Sequence, residues 1–466
     1  MKGLLKGELN EVWGKGNWHN LFGPVDIAGV VLFRIAFGVI MFWEVTRYFR
    51  HDWIYRYWVE PVFNFSYGPF NFSPMGENAM YALWFVLGVL ALFISIGFLY
   101  RISTILFFCG FTYTYLLEQG RYLNHFYLVI LISFVLIFIP ANRYYSIDSK
   151  IWKKIKSPVI ESWCFWLIRF MIGIPYFFGG VAKINPDWLQ GYPLRLWLLS
   201  DTDFPIIGPY FTEYWMILIM SYSGLFLDLF IVPALLWKKT RKYAFVVITL
   251  FHLMNDQLFS IGIFPWFMML ATSLFFSPSW PRQLINAFRT KRLIIEKQDL
   301  KNFQVYATTI NPKPVLIGLA IFCGLQVTLP FRHHLIPGNV NWTEEGHRYA
   351  WHMKLRSKRG YTDFFVKNKA DGETVEIDLE RYLEDWQIDD MEGKPYMIWG
   401  FADYLKARYS SVGIDVEVYV DAVASLNGRK YQHIIDPNVD LASQPKPYFG
   451  YASWIMPLTT PLSKQR

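Results

Sequence analysis

Three titratable side chains interrupt strongly apolar stretches of this chain: His125 in YLNHFYL, Lys183 in FFGGVAKINPDW and His252 in FHLMNDQLFSIG. A free lysine titrates near 10.4, but burial in low dielectric lowers it by several units, and the neutral amine is then a usable base or nucleophile. Gly179 and Gly180, just before Lys183, let another helix or a flat ligand approach closely. Position alone favours a plainer reading of Lys183, a lysine snorkelling from a helix end. His125 and His252 are equally open, because a histidine at a helix end is more often hydrogen-bonded than catalytic. His125, His252 and Asp256 are also one conceivable metal set. The neighbours Asn124, Asn255 and Gln257 suit hydrogen bonding of an organic substrate better, and no metal is expected. The other charges within apolar stretches are Arg34, Glu44, Arg169 and Asp228, with Arg34–Asp228 or Arg169–Asp228 ion pairs as the default expectation.

The elements that must carry these residues are membrane helices. The 466 residues are 53% hydrophobic, 19% aromatic and only 18% charged, which excludes disorder and a simple soluble enzyme. A spanning helix needs about 20 apolar residues. Nine segments qualify: 27–46, 79–99, 102–118, 124–140, 163–182, 214–236, 243–254, 258–276 and 314–330. The seventh is short and is expected to break at Asn255-Asp256-Gln257, possible in a membrane only against protein or a wet cavity. With the N-terminus (1–26) inside, the inside segments carry 20 Lys+Arg and the outside loops 6. That bias orients the bundle. It puts His125, Lys183 and His252 at outer helix ends, with residues 331–466 on the same side. The N-terminus is too polar for a secretory signal, so insertion is expected to rely on the first membrane helix.

Residues 331–466 read as a small α+β domain. FFVKNKADGETVEIDL alternates apolar and polar residues around Asp371-Gly372, a type I′ hairpin signal. Residues 394–410 have helical spacing, and a second hairpin turns at Asn427-Gly428. Between bundle and domain, residues 341–358 mix Trp342, Tyr349, Trp351 and Met353 with Glu344, Glu345, His347 and Arg348, which reads as an amphipathic collar. His333-His334 is expected to be interfacial, and Asn341-Trp342-Thr343 matches a glycosylation sequon. Cys109, Cys164 and Cys323 all fall in apolar segments, so no disulfide framework or CxxC zinc site is expected. The net charge of +8 sits beside the membrane segments, as topology requires, and implies no nucleic acid.

Several blocks together resemble the vitamin K-dependent γ-glutamyl carboxylases, whose membrane part belongs to the HTTM group. They are FLYRIS (98–103), NHFYL (124–128), YFFGGVAKINPDWLQGY (176–192), FHLMNDQLFSIGIF (251–264), NWTEEGHRYAWHM (341–353) and IIDPNVD (434–440). The resemblance covers about residues 26 to 458. It implies an enzyme that oxidises vitamin K hydroquinone with O₂, forming a strongly basic oxygenated quinone. That base removes a glutamate γ-proton, and the carbanion captures CO₂. By the same resemblance Lys183 is the weak base that starts quinol oxidation, and Asn124 with His125 contacts quinone and glutamate. His252 is the second membrane histidine, and Trp351 and Met353 belong to a loop closing over the quinone, with Tyr349 a further candidate cofactor-binding residue. Asn255, Gln257, His347 and Arg348 are the candidate substrate-binding residues.

There are departures too. Animal relatives are longer and carry a disulfide outside the membrane that three intramembrane cysteines cannot reproduce. A prokaryotic cell-membrane protein using a menaquinol is therefore expected, and propeptide recognition is in question. Two other readings stand beside this one. One is a membrane quinol oxygenase or epoxidase without a protein glutamate substrate; the other is a transporter or sensor binding an anionic solute through Lys183 and the histidines.

Overall fold

The structure is a computed structural model and describes residues 21–68, 70–288, 295, 311–445 and 450–462. Residues 1–20 of the expected N-terminal inside segment, and most of the loop before the last apolar helix, lie outside the described residues.

Among the described residues, nine main helices appear where the apolar segments fall. They are α1 (Ala28–Arg50), α2 (Glu77–Ile96), α3 (Tyr100–Leu116), α4 (Asn124–Phe138), α5 (Ser162–Ala182), α6 (Tyr214–Leu236), α7 (Arg241–Phe259), α8 (Phe264–Thr272) and α9 (Pro312–Thr328). Five of these regions, α1, α2, α5, α6 and α9, are long and apolar enough to cross a membrane; α4 and α8 are shorter apolar helices. The expected break at Asn255-Asp256-Gln257 does not occur. These residues are helical, and α7 runs 19 residues before Ser260 ends it in a left-handed conformation. Their polar side chains cost α7 little because the helix keeps its own backbone bonded and turns Asn255 toward a cavity.

Charges inside the bundle are satisfied differently from the expectation. Arg34 donates to the carbonyls of Ala141 and Tyr145, both at 2.7 Å, and Arg169 to those of Leu274 and Phe276 at 2.7 and 2.8 Å. Glu44 pairs with Arg47 at 2.7 Å. Asp228 pairs with neither arginine; its partner is Lys183. Guanidinium groups are well matched to several carbonyls left open where chain turns at helix ends. The two arginines therefore brace loops rather than helices.

A short antiparallel pair, β1 (Pro24–Asp26) with β2 (Val159–Glu161), ties the chain before α1 to the chain before α5. The C-terminal part folds into a four-stranded antiparallel sheet, with β3 (Lys358–Asn368) and β5 (Val416–Leu426) central, β4 (Thr374–Glu376) beside β3 and β6 (Gln432–His433) beside β5. Alternate residues of β5, from Val416 to Leu426, face the core. Helix α10 (Pro395–Ser411) covers that face, with Phe401 against Phe364 at 5.0 Å between ring centroids. The β3–β4 connection is wider than a two-residue turn. Lys367 pairs with Thr374, and in the intervening loop only Gly372 has positive φ. Asn427 and Gly428, at φ 53° and 78°, do form the expected left-handed turn.

The two parts meet over a polar interface. Asp187, in the short helix Pro186–Leu189 after α5, accepts from Arg429 twice at 2.6 Å and from Asn427 at 2.7 Å. Glu118, after α3, accepts from Asn64, from the backbone of Phe65 and Gly120, and from Gln387.

Candidate functional site

Pro175 breaks the backbone bonding of α5, and the helix ends at Lys183 as its C-cap. Its side chain does not snorkel. Lys183 is buried, with Nζ 2.6 Å from Asp228 Oδ2 on α6 and 3.3 Å from the Gly179 carbonyl. Glycine makes this crossing possible. A Cβ on Gly180 would lie 2.9 Å from the Leu229 backbone nitrogen, so α6 can approach α5 only with glycine there. Nζ also lies 5.1 Å from the centre of the Trp188 ring, whose Nε1 donates to the Ser221 carbonyl at 2.9 Å.

His252, on α7, is buried, and its Nε2 lies 2.6 Å from the hydroxyl of Tyr176 on α5. Lys183, Asp228, Tyr176 and His252 line one cavity of about 140 Å³, along with Asn255, Trp188, Phe264 and Met353. Met353 reaches across from the segment 341–358. Its Cε would lie 3.0 Å from a Cβ on Gly179, so the second glycine makes room for it.

His125 does not line this cavity. It packs on Phe264, with ring centroids 5.7 Å apart, and His252 packs on the same ring at 6.0 Å. Asn124 accepts from the Tyr122 hydroxyl at 3.0 Å and donates to the His352 carbonyl at 3.3 Å. Tyr122 in turn accepts from the Tyr349 backbone at 2.6 Å. Tyr349 and Trp351 flank Tyr127, at 4.9 and 5.1 Å. Trp351 is therefore packed against α4 and does not line the cavity. Gln257 is exposed at the end of α7. No group of three or more His, Cys, Asp or Glu among the described residues is arranged to hold a metal ion.

Most of the segment 341–358 is buried between bundle and domain, with Lys354 exposed. Glu344, Tyr349, Trp351 and Lys354 all have positive φ, a conformation costly for residues with a Cβ and maintained here by surrounding contacts. Trp342 lies in the core of the C-terminal domain and donates to the Met456 carbonyl at 2.7 Å. Asn341 is buried, so the sequon has no room for a glycan in the folded chain. His347 is held between the Glu344 carbonyl at 2.8 Å and Arg356 at 3.0 Å, and Arg348 donates to Gln119 at 2.6 Å. Burial works against an ionised Glu344, yet Arg356, Lys358 and His347 outweigh it and hold the carboxyl well below the usual range. Burial pulls Lys358 down to about 8 against the attraction of Glu344.

Sequence reasoning missed the partners. Asp228 belongs to Lys183, Tyr176 to His252, and Asp187 to Arg429. The signal for the first was present in the intramembrane charge of Asp228, but no periodicity relates α5 to α6.

Comparison with protein families divides the chain in two, with α9 falling inside the second match. The HTTM domain family matches residues 22–280, more than half of the sequence. The family described as vitamin K-dependent gamma-carboxylase, lumenal domain, matches residues 311–461. No solved structure matches the chain. With both parts matched in order, the chain belongs to the vitamin K-dependent gamma-carboxylase family, its membrane part an HTTM domain.

Proposed function

We propose that this protein carboxylates glutamate side chains of a peptide or protein to γ-carboxyglutamate, using O₂ and CO₂ and coupling the reaction to oxidation of a reduced naphthoquinone. The observation that carries this reading is the cavity of about 140 Å³ in which Lys183 and His252 converge between apolar walls under Met353. Its size suits a compact aromatic head group, since an apolar cavity of about 150 Å³ takes up benzene. When bound, the quinol supplies the driving force that no side chain has for removing a glutamate γ-proton. Lys183 and Asp228 present the basic group at one wall. His252 and Tyr176 present a second hydrogen-bonding pair, and Asn255 a third polar contact. Aromatic walls and Met353 exclude water, which strengthens each of these contacts.

His125 lies one ring away, behind Phe264, and in this reading it faces the glutamate substrate together with the adjacent Asn124. The Lys+Arg bias of the loops, and the lumenal description of the C-terminal family, support a site facing away from the cytoplasm.

The test uses purified protein in nanodiscs with vitamin K hydroquinone or menaquinol, a Glu-containing peptide and labelled bicarbonate. Acid-stable label in the peptide and quinone epoxide should both appear with the wild type and both be lost in Lys183→Ala. Epoxide without label under any peptide would leave an oxygenase, and neither product would favour a solute-binding protein.

A further inference from the structure

A lone neutral lysine as base leaves Asp228 without a purpose. A carboxylate 2.6 Å from Nζ makes the resting pair an ammonium and a carboxylate, and both side chains are buried. Such an ammonium has no free electron pair to receive a proton. The pair as a whole has one, on Asp228. Both residues line the cavity, and the bond from Nζ to Asp228 Oδ2 connects the carboxylate to whatever Nζ meets there. The arrangement is also deliberately close. A Cβ on Gly179 would lie 3.3 Å from Asp228 Oδ2 and 3.9 Å from Nζ, so glycine leaves the pair and its approach unobstructed. Burying two charges costs more than burying two apolar side chains of the same size. A functional use accounts for keeping them.

Resting on the carboxylase reading, we propose that the base that starts quinol oxidation is the Lys183–Asp228 pair, with Lys183 the carrier of the proton and Asp228 its holder. Lys183 gives one proton to Asp228 as it takes one from the quinol hydroxyl. On Lys183 one N–H bond breaks and one forms. One O–H bond breaks on the substrate and one forms on Asp228. No electron changes hands in this step, and the bonding electron pair stays on the substrate oxygen with one negative charge. Lys183 is still an ammonium, now facing that charge across a site of low dielectric, where the attraction is strong. In this step Asp228 acts through Lys183.

Two readouts test this, one of them without any quinol. Isocyanic acid attacks only an unprotonated amine, so carbamylation of Lys183 by cyanate, followed by mass spectrometry, reports the state of its nitrogen. Asp228→Asn removes the charge and keeps the shape; Lys183 in that variant should react about tenfold faster than in the wild type at the same pH, a difference of one pKa unit. Asp228→Glu keeps the charge and should react at the wild-type rate. In epoxide formation Asp228→Asn should lose about 10²-fold in kcat with little change in KM, the usual size of a proton-transfer contribution, and Asp228→Glu should be intermediate. Equal carbamylation in wild type and Asp228→Asn, or undiminished kcat in that variant, overturns the proposal. If Asp228→Asn does not fold, Asp228→Glu decides alone, because an unchanged kcat with a displaced carboxylate is incompatible with a relay. A wild type that makes neither product overturns the carboxylase reading instead, and the cyanate comparison still decides whether Asp228 governs Lys183.

Discussion

His352 lies between Trp351 and Met353, its carbonyl bonded to Asn124, its ring buried 4.8 Å from that of His333. Neither ring nitrogen has a hydrogen-bond partner among the described residues. Burial lowers it to about 3, helped by the neighbouring His333, Arg356, His334 and Arg332. Its folded value is thus below the ordinary 6.5, so between about pH 6.5 and 3 the unfolded chain binds more protons than the folded one. Stability must fall as pH drops through that window. Thermal unfolding in detergent should therefore show a Tm declining from pH 7 to pH 5, and His352→Leu should flatten the decline. Parallel curves for the two proteins would contradict this account. The consequence for the site is local. Protonation of His352 bears on the loop that carries Met353 over the cavity.

Beside the shared apolar core, the bundle and the C-terminal part are joined by short polar devices. The helix Pro186–Leu189 is capped by Asn185, whose side chain accepts from the Trp188 backbone, and this aims Asp187 at the Asn427-Gly428 turn. The turn is pinned at its other side by two bonds of 2.8 Å between Asn427 and Ser357. One rigid joint thus fixes β5 and the start of β3 relative to the end of α5, which carries Lys183. Asp187→Ala leaves the Arg429 guanidinium buried without its carboxylate and should cost about 3–5 kcal/mol. Replacing both, as Asp187→Leu with Arg429→Met, should cost clearly less. Proteolysis of the C-terminal part during denaturant titration measures both. If the single and double changes cost the same, Asp187 and Arg429 are not coupled in this way.

At the scale of the molecule, a bundle holding the cavity is roofed by the segment 341–358, and the C-terminal domain holds that segment in strained conformations. The charge bias predicts which side of the membrane this roof occupies. Asp371, in the β3–β4 loop, and Lys239, between α6 and α7, are both exposed and lie on opposite sides in that topology. With the three native cysteines replaced, a membrane-impermeant maleimide added to intact cells should label Asp371→Cys and leave Lys239→Cys unlabelled. The reverse pattern would turn the protein over and place the site in the cytoplasm.

Apolar length and loop charge determined the helices and their proposed orientation from sequence, because burial of about 20 residues and the Lys+Arg asymmetry are sums over contiguous chain. Alternation and turn residues likewise marked β3, β5 and the Asn427-Gly428 turn, since the strand period and left-handed backbone are local. Lys183 and His252 stood out for the same reason, as polar residues in apolar runs, and they do share a cavity. The continuity of α7 was not legible. Three polar residues look like a break until something across the helix is known to receive them. Nor could sequence tell that Asp228 answers Lys183 instead of an arginine. Which charges meet depends on where two glycines let α5 and α6 cross, and on the arginines finding open carbonyls elsewhere. Those are relations between distant segments. Only packing in three dimensions decides them.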